Sequence, residues 1–157
     1  MEQPHVRVGT PDDIDEMMAI ALEATTENGF VAPNQGKLLN DIWAALNRHE
    51  GIVGIIGAPG AQIEGTILLR IGTLWYSDVR CVEEKCLFVR EGFRDMQSGR
   101  ARKLAEFAKA VSDELGMPLM IGVLSNHRTK AKVKMYERLF GEPAGAFFLH
   151  NARTGAA

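Results

Sequence analysis

The stretch from Leu87 to Leu104 joins an apolar run, a loop carrying Arg90 and Arg94, and a helix opening at Gln97-Ser98-Gly99-Arg100. A helix start presents N–H groups without intrahelical acceptors and a partial positive charge, which together suit a phosphate. Glycine at position 99 lets the backbone approach such a ligand closely. Between Arg90 and Lys103, five cations (Arg90, Arg94, Arg100, Arg102, Lys103) face two anions (Glu91, Asp95), in a chain of net charge −2. These residues predict a local anion seat rather than general basicity. The plainer reading is a solvated loop with ordinary surface arginines.

Other constellations carry less. Gly54, Gly57 and Gly60 are spaced G-x-x-G-x-x-G, not G-x-G-x-x-G, and no amphipathic helix follows, so a hairpin turn is expected. No G-x-x-x-x-G-K-[ST] or G-x-S-x-G sequence occurs, which leaves P-loop and hydrolase readings without support. His5, His49, His127 and His150 share no ligand spacing with one another or with the cysteines, so no metal is expected. Cys81 and Cys86 read as reduced thiols on opposite faces of one strand, roughly 16 Å apart. A disulfide needs Cα atoms within about 7 Å.

The elements that must position these residues follow from periodicity. His5–Val8 alternates as a short strand, and Thr10-Pro11-Asp12-Asp13 announces a helix with Ile14, Met17, Met18, Ala21, Leu22 and Thr25 on its buried face. Asn28-Gly29 ends it. A second helix is expected over Gln35–Arg48, with Leu38, Leu39, Ile42, Ala45 and Leu46 inward. Strands are expected over Gly51–Gly57, Gln62–Trp75 and Val79–Val89. A long helix then runs to Leu115 with Ala101, Leu104, Ala105, Ala108, Val111 and Leu115 on one face, and Gly116 and Pro118 stop it. A buried strand over Leu119–Leu124, a helix over Arg128–Phe140 and a last strand over Ala146–His150 complete the order β-α-α-β-β-β-α-β-α-β. That order implies one α/β domain over residues 1–157, with a mixed sheet between helices.

Size and composition agree. With 157 residues, 46% apolar and 24% charged, the chain can bury a core without staples and is neither disordered nor a basic nucleic-acid binder. No apolar run approaches a membrane span and no leader is legible, so a soluble, cytoplasmic protein is expected.

Leu87-Phe88-Val89-x-x-x-x-Arg94-x-x-Gln97-x-Gly99-x-Ala101 resembles the acetyl-CoA-binding motif of the GCN5-related N-acetyltransferase (GNAT) superfamily. Asn126 and the helix Met135-Tyr136-Glu137-Arg138-Leu139-Phe140-Gly141 are similar to that family's asparagine and tyrosine helix, and the element order matches from Val6 to His150. Trp75-Tyr76-Ser77-Asp78, Glu83-Glu84 and Ser125-Asn126-His127-Arg128-Thr129 resemble small acetyltransferase-like proteins of tailed phages. The resemblance implies the splayed central sheet of the GNAT fold, with acetyl-CoA as acyl donor. Pantetheine is then expected on the backbone of Phe88 and Val89, and pyrophosphate on the amides from Arg94 through Gln97, Ser98, Gly99 and Arg100 to Ala101. Asn126 takes the family asparagine's place, and Arg128 belongs to a basic helix of which some cations could reach the CoA 3′-phosphate.

Acetyl transfer to an amine needs a neutral nitrogen, and an amine of pKa ~10.4 requires a base at neutral pH. Glu83 and Glu84 lie on the strand leading to the pantetheine position. Alternation sends them to opposite faces, and Glu83, sharing parity with Val89, is the first choice with Glu84 second. A charged strand edge beside Lys85 is the bland alternative. The departing thiolate needs a proton, which Tyr136 could give; otherwise it is a core tyrosine on the Val133/Tyr136/Phe140 face. Neither cysteine has a histidine partner in sequence, so direct transfer is preferred to an acyl-cysteine route.

The expected function is acetyl-CoA-dependent N-acetyl transfer to an amine the sequence does not identify. The alternative, favoured by Gln97 and by the ten-residue separation of Asn126 from Tyr136, is an inactive CoA-binding module acting through partner contacts. A nucleic-acid partner is not expected, since stacking aromatics are absent from the basic helices. One strand follows the last helix where the family commonly has two, so the resemblance implies a shallow acceptor pocket or one completed by a second subunit, hence a possible homodimer.

Overall fold

Thr10-Pro11 opens the first helical turn where the sequence places it. In the computed structural model, which describes residues 4–95, 97–125 and 128–152, β1 (Arg7–Val8) leads through a 3-10 turn (Pro11–Asp13) into α1 (Ile14–Asn28). Asp13 does more than favour the helix dipole. Its Oδ2 accepts from the Thr10 amide at 2.8 Å, and both oxygens hold the Arg7 guanidinium at 2.9 Å. That guanidinium keeps the buried Asp13 carboxyl below its ordinary range, against the opposing effect of burial. Gly29 closes α1 in the left-handed conformation, as an end-cap glycine does.

α2 (Gln35–Leu46) starts on Asn34, whose side chain accepts from Lys37 N at 3.0 Å. It buries Ile42, Ala45 and Leu46, while Leu39, expected inside, is 44% exposed. β2 (Gly51–Ile56), β3 (Gly65–Thr73) and β4 (Arg80–Val89) form the antiparallel centre of a five-stranded sheet. β1 lies at one edge and β5 (Leu119–Met120), parallel to β4, at the other. The glycine run resolves as a hairpin: Gly54 lies within β2, and Ala61 N donates to Ala58 O at 3.0 Å in the turn.

Alternation along β2 and β3 divides the core. Val53, Ile55 and Leu68 pack with Met17, Ile20, Ile42 and Leu46 under α1 and α2. On the other face, Ile56, Ile67 and Leu69 pack with Val82, Val89 and, from α3 (Arg100–Leu115), Leu104 and Ala108. Gly54 lets that second layer close: a Cβ there would stand 2.8 Å from the Phe107 ring. Leu115, at the end of α3, is 46% exposed rather than buried.

The C-terminal third departs from expectation. The strand expected over Leu119–Leu124 is cut to Leu119–Met120, and the strand expected over Ala146–His150 does not form. Apolar alternation makes a strand only where a neighbour satisfies its backbone and covers one face. Phe147 and Phe148 instead stand 90% and 94% exposed after α4 (Thr129–Phe140).

Candidate active site

The site begins where the sheet stops pairing. β5 meets β4 at Val82 and Glu83 only, whereas β4 continues to Val89. From Glu84 onward, the outer edge of β4 therefore has no strand partner among the described residues, which leaves room for an extended ligand beside it, although the Val89 carbonyl already accepts from Arg94 Nε.

A bulge decides which side chains serve this edge. Across the β3–β4 ladder Leu68 stands opposite Cys86 and Leu69 opposite Glu84, so Lys85 is the inserted residue. Counting by twos from Val89 fails at that point. Glu84, opposite Leu69, lies on the face of Leu87 and Val89 towards α3, while Glu83, opposite Arg70, lies on the other. The parity argument that ranked Glu83 first is thereby reversed. Glu83 instead sits 3.1 Å from Lys85 Nζ in a half-exposed ion pair. The same bulge puts Cys81 and Cys86 on one face rather than opposite faces; both are free thiols.

Burial raises the Glu84 carboxyl to about 7, with Glu83 adding to the effect and Lys132 and Lys85 opposing it. Burial and the Glu84 carboxylate push the Cys86 thiol up to about 12, so it is no ready nucleophile at neutral pH. Tyr136 on α4 stays protonated, its phenol raised chiefly by burial and further by Glu84 and Cys86. Its ring meets Phe140 edge-on at 6.1 Å, so the expected aromatic face of α4 does form. The structure thus brings Glu84 and Tyr136 into one electrostatic neighbourhood. Lys132, partly buried one turn before Tyr136, joins them. The i, i+4 spacing of Lys132 and Tyr136 was the available sequence signal.

At the other end, α3 begins on Gly99 with φ +65°, a conformation that favours glycine. Gly99 has no side chain with which to cap the first turn. Ser98 Oγ accepts from Arg100 N at 3.3 Å, and Ser98 N donates to Asp95 O at 3.0 Å. A cleft of about 350 Å³ opens here, lined in part by Gln97, Ser98, Gly99, Arg102 and Lys103.

The excess positive charge read from the sequence is largely engaged. Arg90 reaches Glu23 at 3.0 Å and Glu16 at 3.3 Å, and donates to Ile63 O at 2.8 Å. Arg94 grips Glu27 with two nitrogens at 2.8 and 3.0 Å, donates from Nε to the Val89 carbonyl, and lies over the Phe88 ring. Arg100 pairs with Glu64 at 2.7 Å and covers Phe93. Arg102 and Lys103 both reach Glu106. Carboxylates from α1, from α3 and from the approach to β3 offset the local cations, which a window confined to residues 90–103 does not count. Arg94 therefore braces the strand edge instead of joining the amides of α3. Arg128, exposed, is the left-handed residue preceding α4, and Asn126 lies outside the described residues. Among the described residues no group of three potential ligands could hold a metal, and no helix is long and apolar enough to cross a membrane.

No family model matches the chain, and no curated protein matches it. Solved structures do. AAC(6')-Iy, in complex with the bisubstrate analogue CoA-S-monomethyl-acetylneamine, superposes with a TM-score of 0.71 at 17% identity, over 98% of this chain and 100% of that one. An aminoglycoside acetyltransferase from an uncultured soil metagenomic sample, in complex with sisomicin, gives 0.61 at 15% identity over 96% and 95%. A ribosomal-protein-alanine N-acetyltransferase from Brucella melitensis gives 0.63 at 10% identity over 94% and 99%. The chain has the acetyltransferase fold that its sequence resemblance implies.

Proposed function

We propose that this protein is an acetyl-CoA-dependent N-acetyltransferase that moves the acetyl group directly to an amine. The observation that carries the reading is the edge of β4 left unpaired beyond Glu83, with the α3 N-terminus close at its end and Glu84 raised to about 7 beside it. Pantetheine lies along Phe88 and Val89. The pyrophosphate takes the amides of Gln97 to Ala101 at the cleft, with Gly99 permitting close approach.

Glu84 is the base. A carboxylate with a pKa near 7 is half ionised at neutral pH and accepts a proton from an ammonium acceptor better than an ordinary carboxylate does. Tyr136, held protonated, donates to the sulfur as the C–S bond breaks. Glu83, in its pair with Lys85, plays no part in proton transfer. Acetyl-CoA is a substrate, and no step calls for a metal.

The second reading, a CoA-binding module without turnover, draws on the ion pairing of all five cations between Arg90 and Lys103. Mass spectrometry of the purified protein for bound CoA, with calorimetric titration of acetyl-CoA, tests the donor site. An amine screen that follows CoA release then separates the two readings. Neither co-purified CoA nor calorimetric binding would remove both.

A further inference from the structure

Acyl transfer through Glu84 and Tyr136 leaves Lys132 unused. It lies on α4 one turn before Tyr136, so their side chains share a helix face. Lys132 is partly buried, unlike Lys130 and Lys134 on the same helix, which are exposed. Its Nζ donates to Ser125 Oγ at 3.2 Å, which tethers the amine to the segment that leaves the sheet after β5. The charges that act on it are those of Glu84 and Cys86 on β4, Arg94 and Glu27 of the brace beside Val89, and Arg128 of its own helix start. A tethered, partly buried amine thus shares the helix face of Tyr136 and the electrostatic neighbourhood of Glu84.

We propose that Lys132 is itself an acetyl acceptor, so that the protein modifies its own donor site. The inference rests on the acetyl-CoA reading above. The neutral Nζ attacks the thioester carbonyl carbon, forming the C–N bond as the C–S bond breaks. The proton lost from nitrogen passes to the Glu84 carboxylate and on to water, and the CoA thiolate takes one from the Tyr136 phenol, which regains it from water. Burial, with Arg94 and Arg128 nearby, lowers the Lys132 pKa and enlarges the neutral fraction that can attack. Acetylation then removes the cation that holds Glu84 down, so the modified protein has a weaker supply of ionised base at neutral pH.

The test incubates the purified full chain with isotopically labelled acetyl-CoA, follows intact mass, and maps the labelled peptide. One labelled acetyl group per chain is expected first at Lys132, roughly tenfold or more ahead of Lys130 and Lys134. Lys132→Arg should lose the modification while keeping the charge, Glu84→Gln should slow it, and urea-unfolded protein should show no preference for Lys132. Calorimetry on the same sample separates the failures. Acetyl-CoA bound with Lys132 unmodified, or labelled no faster than its neighbours, overturns this proposal alone. Absence of binding overturns the donor site and this proposal together.

Discussion

Glu84 stands opposite Leu69 in the β3–β4 ladder, although counting by twos from Val89 puts Glu83 on that face. The single inserted residue, Lys85, turns Glu84 towards the core that Leu69 shares with Val82 and Val89. It leaves Glu83 with a lysine for company. Which of two adjacent carboxylates shares the face of Val82 and Val89 is therefore decided by a bulge, not by residue type, and the proposed base follows that face.

This relationship has a kinetic consequence. With Glu84 near 7 in the free protein, kcat/KM should fall below about pH 7 as the carboxylate takes up its proton. Glu84→Gln should remove that limb and lower the rate by about 10² or more at neutral pH. Glu83→Gln should retain it. The pH–rate profiles of the two variants with a working amine acceptor make the comparison, and an unchanged limb in Glu84→Gln would return the base to Glu83 or to water.

The same shift has a consequence for stability. The folded pKa lies above the ordinary 4.5, so between pH 4.5 and 7 the folded state binds more protons than the unfolded chain. Stability from this group is full below 4.5 and declines as pH rises through 7, by up to about 3 kcal/mol. Asp13 acts in the opposite sense, since its depressed pKa gives stability that is lost as pH falls. Urea denaturation from pH 4.5 to 8 should show the decline in the wild type, and Glu84→Gln should flatten it. A variant as steep as the wild type would mean that Glu84 is not desolvated.

Much of the fold was legible because the N-terminal elements carry strong local signals. Asn34 before α2, Gly29 after α1 and Gly116 after α3 fall at or within a residue or two of the expected boundaries. The site was legible in part. The strand-loop-helix order put Phe88 and Val89 at the end of a strand and Gly99 at the start of a helix, as the structure has them, but a bulge has no sequence signature in Glu83-Glu84-Lys85. The carboxylates that engage the arginines, Glu27 and Glu64 among them, are remote in sequence and near only in the fold. Ala146–His150 misled for a further reason: its alternation suits a strand, yet no strand among the described residues pairs with it.

Gly99 offers a test of the phosphate seat that is separable from folding. A Cβ there would meet nothing within 4 Å, but φ is +65°, so any side chain costs about 1 kcal/mol of strain. Gly99→Ala should therefore cost stability with only a modest loss of affinity. Gly99→Asp should add a carboxylate beside the phosphates and weaken acetyl-CoA binding by roughly tenfold more than the alanine variant. Calorimetry on both, with melting curves to confirm folding, checks the difference; equal affinities would move the pyrophosphate elsewhere.

Cys81 and Cys86 should titrate as two thiols per chain after unfolding without reductant, since both are free. In the folded protein Cys86 should react far more slowly than an exposed thiol at neutral pH, because burial and Glu84 raise its pKa to about 12. Glu84→Gln removes the nearby carboxylate and should speed that reaction. Kinetics with a thiol-specific disulfide reagent measure both, and rapid modification in the native wild type would contradict the buried environment.

Burial raises the Tyr136 phenol well above the ordinary value, so it carries its proton across the whole working range and gives no basic limb of its own. A donor of this kind acts by hydrogen-bonding to charge as it develops on sulfur, an interaction made in the transition state and not in the bound thioester. Tyr136→Phe keeps the ring packed edge-on against Phe140 while removing the O–H. It should lower kcat by about 10², with the acetyl-CoA affinity little changed. The acidic limb assigned to Glu84 should persist in this variant, because the phenol is neutral on either side of it. Steady-state rates with a working amine acceptor, paired with calorimetry, read the two quantities separately. A Tyr136→Phe protein with wild-type kcat would reduce Tyr136 to a packing residue and leave protonation of the thiolate to water.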